Sequence, residues 1–400
     1  IYISTSCVTV MANDLNNYFY GVDYSSGLDF YLGYNDNLLY QSDEYESIQT
    51  NYALIEPNIK LSMDEDYKKH SLEYRLKLGI YSKSSTDDYS DHYFSTRNSV
   101  RLSLRNEVEF DASYKLLHEA RGQNTTAGNA LLFESPIEYE MLGSRLGYNY
   151  GAIGAKGKIA LDIKWDKRTH TNYLDDLTTS AKTGMRYKDY DQYSINASLS
   201  SVLQASTKAL LSYSYQRKLY SYTRDTSSSQ DSFTHFIYAG FNWNVAEKTE
   251  GFVKIGVQDM NFLNESRQDF TGFSWATGFT WKPLSHSTLK FDSVHVAKDP
   301  DQTGDYLKQT TLSIGWKHYW HPRLFSELST SYTLDKYTGA RDSNGVLRDE
   351  KTSKSTIAMT YIINRNFQIG MKLNVVNKLS SWERYEYSQD TWSINGKFGF

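Results

Sequence analysis

The sequence predicts an all-β protein: a single transmembrane antiparallel up-and-down β-barrel of about 18 strands, with both termini in the periplasm. Three observations predict it. Apolar and polar residues alternate along nearly the whole chain, the links between alternating runs are short and long in turn, and the last segment, Thr391-Trp-Ser-Ile-Asn-Gly-Lys-Phe-Gly-Phe400, ends on an aromatic with the alternation still running. Successive side chains of a strand point to opposite faces, so each run has one apolar and one wet face. Short periplasmic turns alternating with longer outer loops are the pattern of an outer-membrane barrel. Hairpins of a soluble sandwich have no reason to sort their loops by parity.

Composition agrees. The mean hydropathy of -0.61 is that of a water-soluble chain, but a barrel that alternates lipid-facing and lumen-facing residues also has a low mean. No stretch approaches the roughly 18 apolar residues of a membrane helix. The 34 Tyr, 18 Phe and 8 Trp against 5 Pro favour strands. A net charge of -4 gives no basic face for nucleic acid. Cys7 is the single cysteine, so no disulfide framework and no cysteine-based metal site forms within one chain.

Residues 1–12 read as the remnant of a signal peptide, ending Val10-Met11-Ala12 before polar Asn13-Asp14, with cleavage expected after Ala12. Ser4-Thr5-Ser6 lacks the aliphatic residue that would make Cys7 a lipoprotein site. Residues 13–26 are a polar, Tyr-rich periplasmic lead-in, too short to plug a wide barrel, and residues 27–400 form the barrel.

The alternating runs are, in order, 28–34, 52–64, 71–82, 97–105, 107–117, 137–150, 158–168, 187–200, 208–219, 233–244, 251–260, 272–281, 289–297, 307–317, 324–335, 354–362, 367–376 and 387–400. Each is near the ten or so residues a tilted membrane-spanning strand requires. The tight links fall after even-numbered runs, at Glu65-Asp66-Tyr67, Asn106, 151–154, 204–206, 246–248, 283–286, 319–322 and 364–366. The long polar links, including 84–90, 121–134, 169–186, 223–231 and 339–350, lie between them.

Facing follows from parity. Leu72, Tyr74, Leu76, Leu78 and Ile80 oppose Glu73, Arg75 and Lys77, while Val100, Leu102 and Leu104 oppose Arg97, Arg101 and Arg105. Val108, Phe110, Ala112 and Tyr114 oppose Glu109, Asp111 and Lys115, and Ile159, Leu161, Ile163 and Trp165 oppose Lys158, Asp162, Lys164 and Asp166. Arg or Lys at the bilayer midplane costs roughly 2–4 kcal/mol, so the apolar sets face lipid. The charged sets must then line a hydrated interior, because unpaired buried charge is prohibitive. The expected pore lining adds Lys254, Lys282, Lys290, Lys317, Lys372 and Lys397, with Asp292, Glu327 and Asp335 as further acidic counterparts. Two readings stand: cross-strand pairing that merely holds the wall together, which is favoured, or a net-positive wall suited to anionic polymers.

Trp165, Tyr213, Tyr215, Trp243, Trp281 and Trp316 are placed in aromatic girdles. Ala130, Leu131, Leu132 and Phe133 form an apolar patch in a long loop, a candidate constriction against the simpler alternative of packing on neighbouring loops. Trp392, Ile394, Phe398 and Phe400 are the lipid face of the barrel-closing strand, whose partner is the run starting near Leu28.

No enzymatic chemistry is expected. The histidines form no His-Glu-x-x-His pair and no Gly-x-Ser-x-Gly elbow occurs. His92 beside Asp91 suggests a carboxylate-supported histidine, and Asp299, Asp301 and Asp305 a weak calcium loop, but solvated polar residues explain both better. No cofactor, metal or nucleic-acid partner is expected.

Several segments resemble a known family. These are Gly33-Tyr-Asn-Asp-Asn37, Gly79-Ile-Tyr81 with Tyr89-Ser-Asp-His92, Glu134-Ser-Pro-Ile-Glu-Tyr139, and Tyr150-Gly-Ala-Ile-Gly-Ala-Lys-Gly157. Most specific are Asp269-Phe-Thr-Gly-Phe-Ser-Trp275 with Thr280-Trp-Lys-Pro-Leu-Ser-His-Ser-Thr288, continued by Ala297-Lys-Asp-Pro300 and Gly304-Asp-Tyr306. From Gly27 to Phe400 the chain resembles the outer-membrane β-barrel porin family of exopolysaccharide and capsule loci, the exopolysaccharide biosynthesis barrel proteins. That resemblance implies a conduit in the outer membrane of a Gram-negative bacterium. It would sit among lipid and lipopolysaccharide, be inserted by the barrel-assembly machinery, and pass a polysaccharide supplied by periplasmic and inner-membrane export proteins. A general or sugar-selective uptake porin is the alternative, and an adhesin-like surface barrel a weaker one. The moderate loop lengths tilt this towards export, since small-solute porins fold a long loop inside.

Overall fold

The computed structural model describes residues 21–400 except 153, 176–183, 205, 224–228 and 246–247. The expected signal-peptide remnant and most of the lead-in lie outside the described residues. Eighteen strands run in chain order: β1 (Asp23–Asn35), β2 (Thr50–Glu65), β3 (Lys68–Tyr81), β4 (Tyr89–Arg101), β5 (Asn106–Glu119), β6 (Ile137–Tyr150), β7 (Gly157–His170), β8 (Tyr190–Gln204) and β9 (Thr207–Tyr220). They continue as β10 (Ser232–Val245), β11 (Thr249–Phe262), β12 (Phe270–Leu284), β13 (Ser287–Lys298), β14 (Tyr306–His321), β15 (Leu324–Arg341), β16 (Leu347–Ile362), β17 (Phe367–Ser380) and β18 (Tyr387–Gly399). Every strand is antiparallel to its neighbours, and β18 pairs with β1 through Leu28↔Phe398, Asp29↔Lys397, Leu32↔Ile394 and Tyr34↔Trp392. The sheet is therefore closed, which leaves no unsatisfied strand edge, the condition for strands to cross a bilayer.

The links alternate as expected, giving the barrel a turn end and a loop end. Each predicted run has its strand, with shifts that have local causes. The fourth run was expected over 97–105, but β4 spans Tyr89–Arg101 and Leu102 to Arg105 form the turn. Ser103 decides this: its hydroxyl accepts from the Asn106 side-chain amide at 2.7 Å and from the Arg105 backbone N–H at 3.2 Å. The Leu102 N–H bonds the Asn106 carbonyl at 2.8 Å. Alternation alone cannot distinguish a strand from a turn that happens to read Leu-Ser-Leu. At the other end of β4, His92 has outward parity, but its Nδ1 lies 3.0 Å from Tyr74 Oη, so a polar residue is tolerated on that face. β1 begins at Asp23, within the expected lead-in, because residues 23–26 pair with 59–62 of β2.

One face of the wall is apolar and exposed, with Leu72, Phe110, Leu146, Ile163, Ile255, Ile314 and Met371 among its residues. Its aromatics gather near both ends. Trp243 packs on Phe279 and Trp316 on Trp320 at the turn end, while Tyr213 and Tyr215 meet His235 and Trp275 stacks on His295 towards the loop end. Among the described residues, the buried apolar side chains form no packed central core, and three of four clusters join loops: Leu38 and Leu39 with Ala130; Ala127 with Ala340, Trp382 and Tyr385; and Phe133 and Ile137 with Met185.

Candidate functional site

The inner face of the wall is built by the opposite parity. Arg75, Lys77 and Arg97 project inward from β3 and β4, Glu109 and Asp111 from β5, and Lys158, Asp162 and Lys164 from β7. Lys254, Lys290, Lys317, Lys372 and Lys397 hold the inward parity of β11, β13, β14, β17 and β18, opposite the exposed apolar residues of those strands. Lys282 is set in the irregular end of β12, between the register positions of Trp281 and Leu284. Arg101 lies at the turn end, and Arg105 is in the turn itself rather than on the strand face expected for it.

Ion pairing on this wall is uneven. Arg145 of β6, which the sequence reading did not single out, collects three carboxylates. Its Nη1 lies 2.5 Å from Glu109 and 3.1 Å from Asp111, and its Nε 2.6 Å from Asp162. Inward-facing Gly147, two residues along the strand, leaves room for the guanidinium: a Cβ there would sit 2.9 Å from Arg145 Nη2. Further pairs are Lys317–Glu327 at 2.9 Å and Lys397–Asp29 at 3.4 Å. Among the described residues, no carboxylate lies within 4.0 Å of the cationic nitrogens of Lys77, Arg97, Lys158, Lys164, Lys254, Lys290 or Lys372. Cross-strand pairing therefore accounts for part of the lumen charge, and a set of cations faces water.

Towards the loop end the lining becomes aromatic. A cavity of about 600 Å³ opens among Tyr31, Tyr52, Tyr81, Tyr89 and Tyr139, with Glu56, Lys77, Lys372 and Asn374 below them. The rings of Tyr52, Tyr81, Tyr89 and His118 form a row across β2 to β5, with successive centroids 6.4, 6.4 and 3.6 Å apart. Two glycines make this possible. A Cβ on Gly33 would sit 2.7 Å from Tyr52 Cζ, and one on Gly79 would overlap the Tyr89 ring. The histidine that Asp91 supports is His118, not His92. Asp91 and His92 are neighbours on opposite faces, and Asp91 Oδ1 lies 2.8 Å from His118 Nδ1.

The loop after β5 roofs this chamber. Arg121 anchors it, donating to both carboxylate oxygens of buried Asp87 at 2.8 and 2.5 Å and to the Phe133 carbonyl at 2.9 Å. Ala130 and Phe133 are buried against neighbouring loops, while Leu131 and Leu132 remain more than half exposed. Contact across the mouth is made one turn earlier in the chain. From the loop between β13 and β14, Gln302 Nε2 donates to the carbonyls of Asn124, Thr125 and Ala127 at 2.9, 3.0 and 3.0 Å. That loop is tied to the wall through Asp299, which accepts from Tyr220 Oη at 2.6 Å and pairs with Arg267 at 2.7 Å and Lys218 at 3.4 Å. Asp299 is thus committed to the protein's own cations rather than to calcium.

A closed 18-stranded barrel with a lipid-type outer face and a charged, hydrated interior defines a transmembrane channel of the porin class. The chain belongs to the family described as "Putative beta-barrel porin 2", whose model matches residues 26–398. Among solved structures, the siderophore receptor PirA from Pseudomonas aeruginosa is similar at TM-score 0.50 and 8% identity, covering 94% of this chain and 80% of that one. The copper transporter OprC is similar at TM-score 0.50 and 8% identity, covering 95% of this chain and 80% of the other. These likenesses show the barrel fold alone. No curated protein sequence matches the chain.

Proposed function

We propose that this porin is a passive outer-membrane conduit for secretion of a polysaccharide, with its turns in the periplasm, its loops outside and no chemistry of its own. The observation that carries the reading is a polar inner wall that runs the height of the barrel. It extends from Asp29 and Lys397 at the turn end, past Glu56 and Lys372, to Asn374, Thr391 and the tyrosines under the roofing loop. A hydroxyl-rich chain can exchange its water for such side chains at successive levels of this strip. The family resemblance of the sequence motifs supports the same cargo. Energy and polymer would come from periplasmic and inner-membrane export proteins.

One observation favours the uptake reading. The loop of residues 120–136 is moderate in length, yet it reaches across the mouth, as restricting loops of small-solute pores do. A strain lacking the protein separates the two. Loss of surface polymer with normal sugar uptake supports the conduit, and the reverse result overturns it.

A further inference from the structure

We infer that the tyrosine chamber under the roofing loop is a saccharide-binding subsite, selective for pyranose units that carry a carboxylate. Pyranose rings present flat C–H faces and a rim of hydroxyls, so a binding site for them combines open aromatic faces with amides and hydroxyls at their edges. The chamber has both. Tyr52 rests one face of its ring on the bare backbone of Gly33 and lines the cavity with the rest. Tyr81 and Tyr89 continue the row, and Asn35, Asn374 and Thr391 supply amide and hydroxyl groups around it. Its volume of about 600 Å³ lies within the range of small-ligand sites.

The charge of the chamber sets the preference. Of its three acidic residues, Asp91 is buried in the wall against the His118 N–H and Nδ1 and Glu119 pairs with Arg168, which leaves Glu56 as the carboxylate open to the cavity. Against it stand Lys77 and Lys372, neither within 4.0 Å of a carboxylate among the described residues. Two ammonium groups and one carboxylate are therefore open to the cavity, and the carboxylate of a uronic acid unit would meet the lysine pair directly. Opposite charges attract more strongly in a narrow low-dielectric wall than in bulk water.

This subsite deepens the conduit reading, and its test is independent of polymer secretion in cells. The full chain is placed in planar bilayers, and single-channel current is recorded with a short oligogalacturonate, a malto-oligosaccharide or a polyethylene glycol of equal length. Both sugars are expected to interrupt the current for about tenfold longer than the glycol, and the oligogalacturonate for longer than the neutral sugar. Tyr52→Leu with Tyr81→Leu should shorten sugar block about tenfold, and Lys77→Met with Lys372→Met should erase the preference for the acidic sugar. Heat-dependent electrophoretic migration verifies folding, and lipid-facing Tyr114→Leu is the control. Equal block times for sugar and glycol, or block unchanged by the tyrosine substitutions, overturn the subsite. Equal block by the two sugars overturns its acidic selectivity. If surface polymer is lost on deletion but no sugar-specific block occurs, the subsite alone fails; if secretion is normal without the protein, the conduit reading fails.

Discussion

Gln302 and Tyr385 meet across the mouth of the barrel: Tyr385 Oη, from the loop before β18, donates to Gln302 Oε1 at 2.6 Å. The same Gln302 amide donates to three carbonyls of the roofing loop. One side chain thus links loops that leave the wall at β5, β13 and β17.

Cutting this link should open the mouth. Each net hydrogen bond contributes about 1 kcal/mol, and about 1.4 kcal/mol is tenfold in a population. Gln302→Ala with Tyr385→Phe removes the two Gln302 N–H donors and the Tyr385 bond, about 3 kcal/mol, and is therefore expected to raise the frequency of the fully open state about a hundredfold in bilayer recordings. Deleting residues 124–132 should raise conductance further. Unchanged conductance in both would show that the roof does not restrict the pore.

Asp299 gives the loop between β13 and β14 a pH dependence. Burial disfavours its charged form, but Lys218, Arg267 and the hydrogen bonds from Arg267 and Tyr220 outweigh this and hold the carboxyl below its ordinary range. A depressed carboxyl contributes fully above its unfolded pKa and loses its contribution as pH falls through the lower folded value. The closed mouth should therefore persist unchanged from neutral pH down to about 4 and be released only below that. Asp299→Asn should be partly open at pH 7 and lack the acid transition, as measured by conductance against pH.

Arg145 holds three carboxylates together, so Arg145→Met leaves Glu109, Asp111 and Asp162 facing one another. Loss of the shared cation is expected to cost about 2 kcal/mol of unfolding stability in urea titrations. It should also move the reversal potential in a salt gradient towards cation preference. The wild-type channel, with Lys77, Arg97, Lys164 and Lys372 free of carboxylate partners, should favour anions. A clear cation preference in the wild type would remove the anion-favouring reading of the wall.

The fold was legible because one constraint, lipid outside and water inside, acts on every strand and leaves a period of two in all of them. Side-chain facing was legible for the same reason, and the parity rule that places Lys372 inward would also have found Arg145. Other features leave no periodic trace. Ser103 turned Leu102 and Leu104 into a turn through local hydrogen bonds that alternation cannot register. Tyr52 carries no signal of its own and Tyr81 and Tyr89 stand out only within family-like segments, because a row across three strands leaves no trace in local alternation. Gln302 sits in a short polar loop and gains its role from carbonyls 175 to 178 residues away.

Gly33 joins the closing seam to the chamber, and it supplies a controlled comparison. In β1 it pairs with Ser393 of β18 and with Tyr52 of β2. A methyl group there would press on the Trp392 carbonyl of the closing strand as well as on the Tyr52 ring, and neither has room to yield without moving the seam. Gly399 lies on the same seam, and a methyl group there would meet nothing within 4 Å. Overpacking typically costs about 1–3 kcal/mol. Gly33→Ala is therefore expected to lower unfolding stability by roughly that amount and to shorten saccharide block by displacing Tyr52, whereas Gly399→Ala should leave both unchanged. Equal stability for the two variants in urea titrations would mean that the seam flexes enough to absorb a methyl group, and that Tyr52 is not held in place by the bare backbone of Gly33.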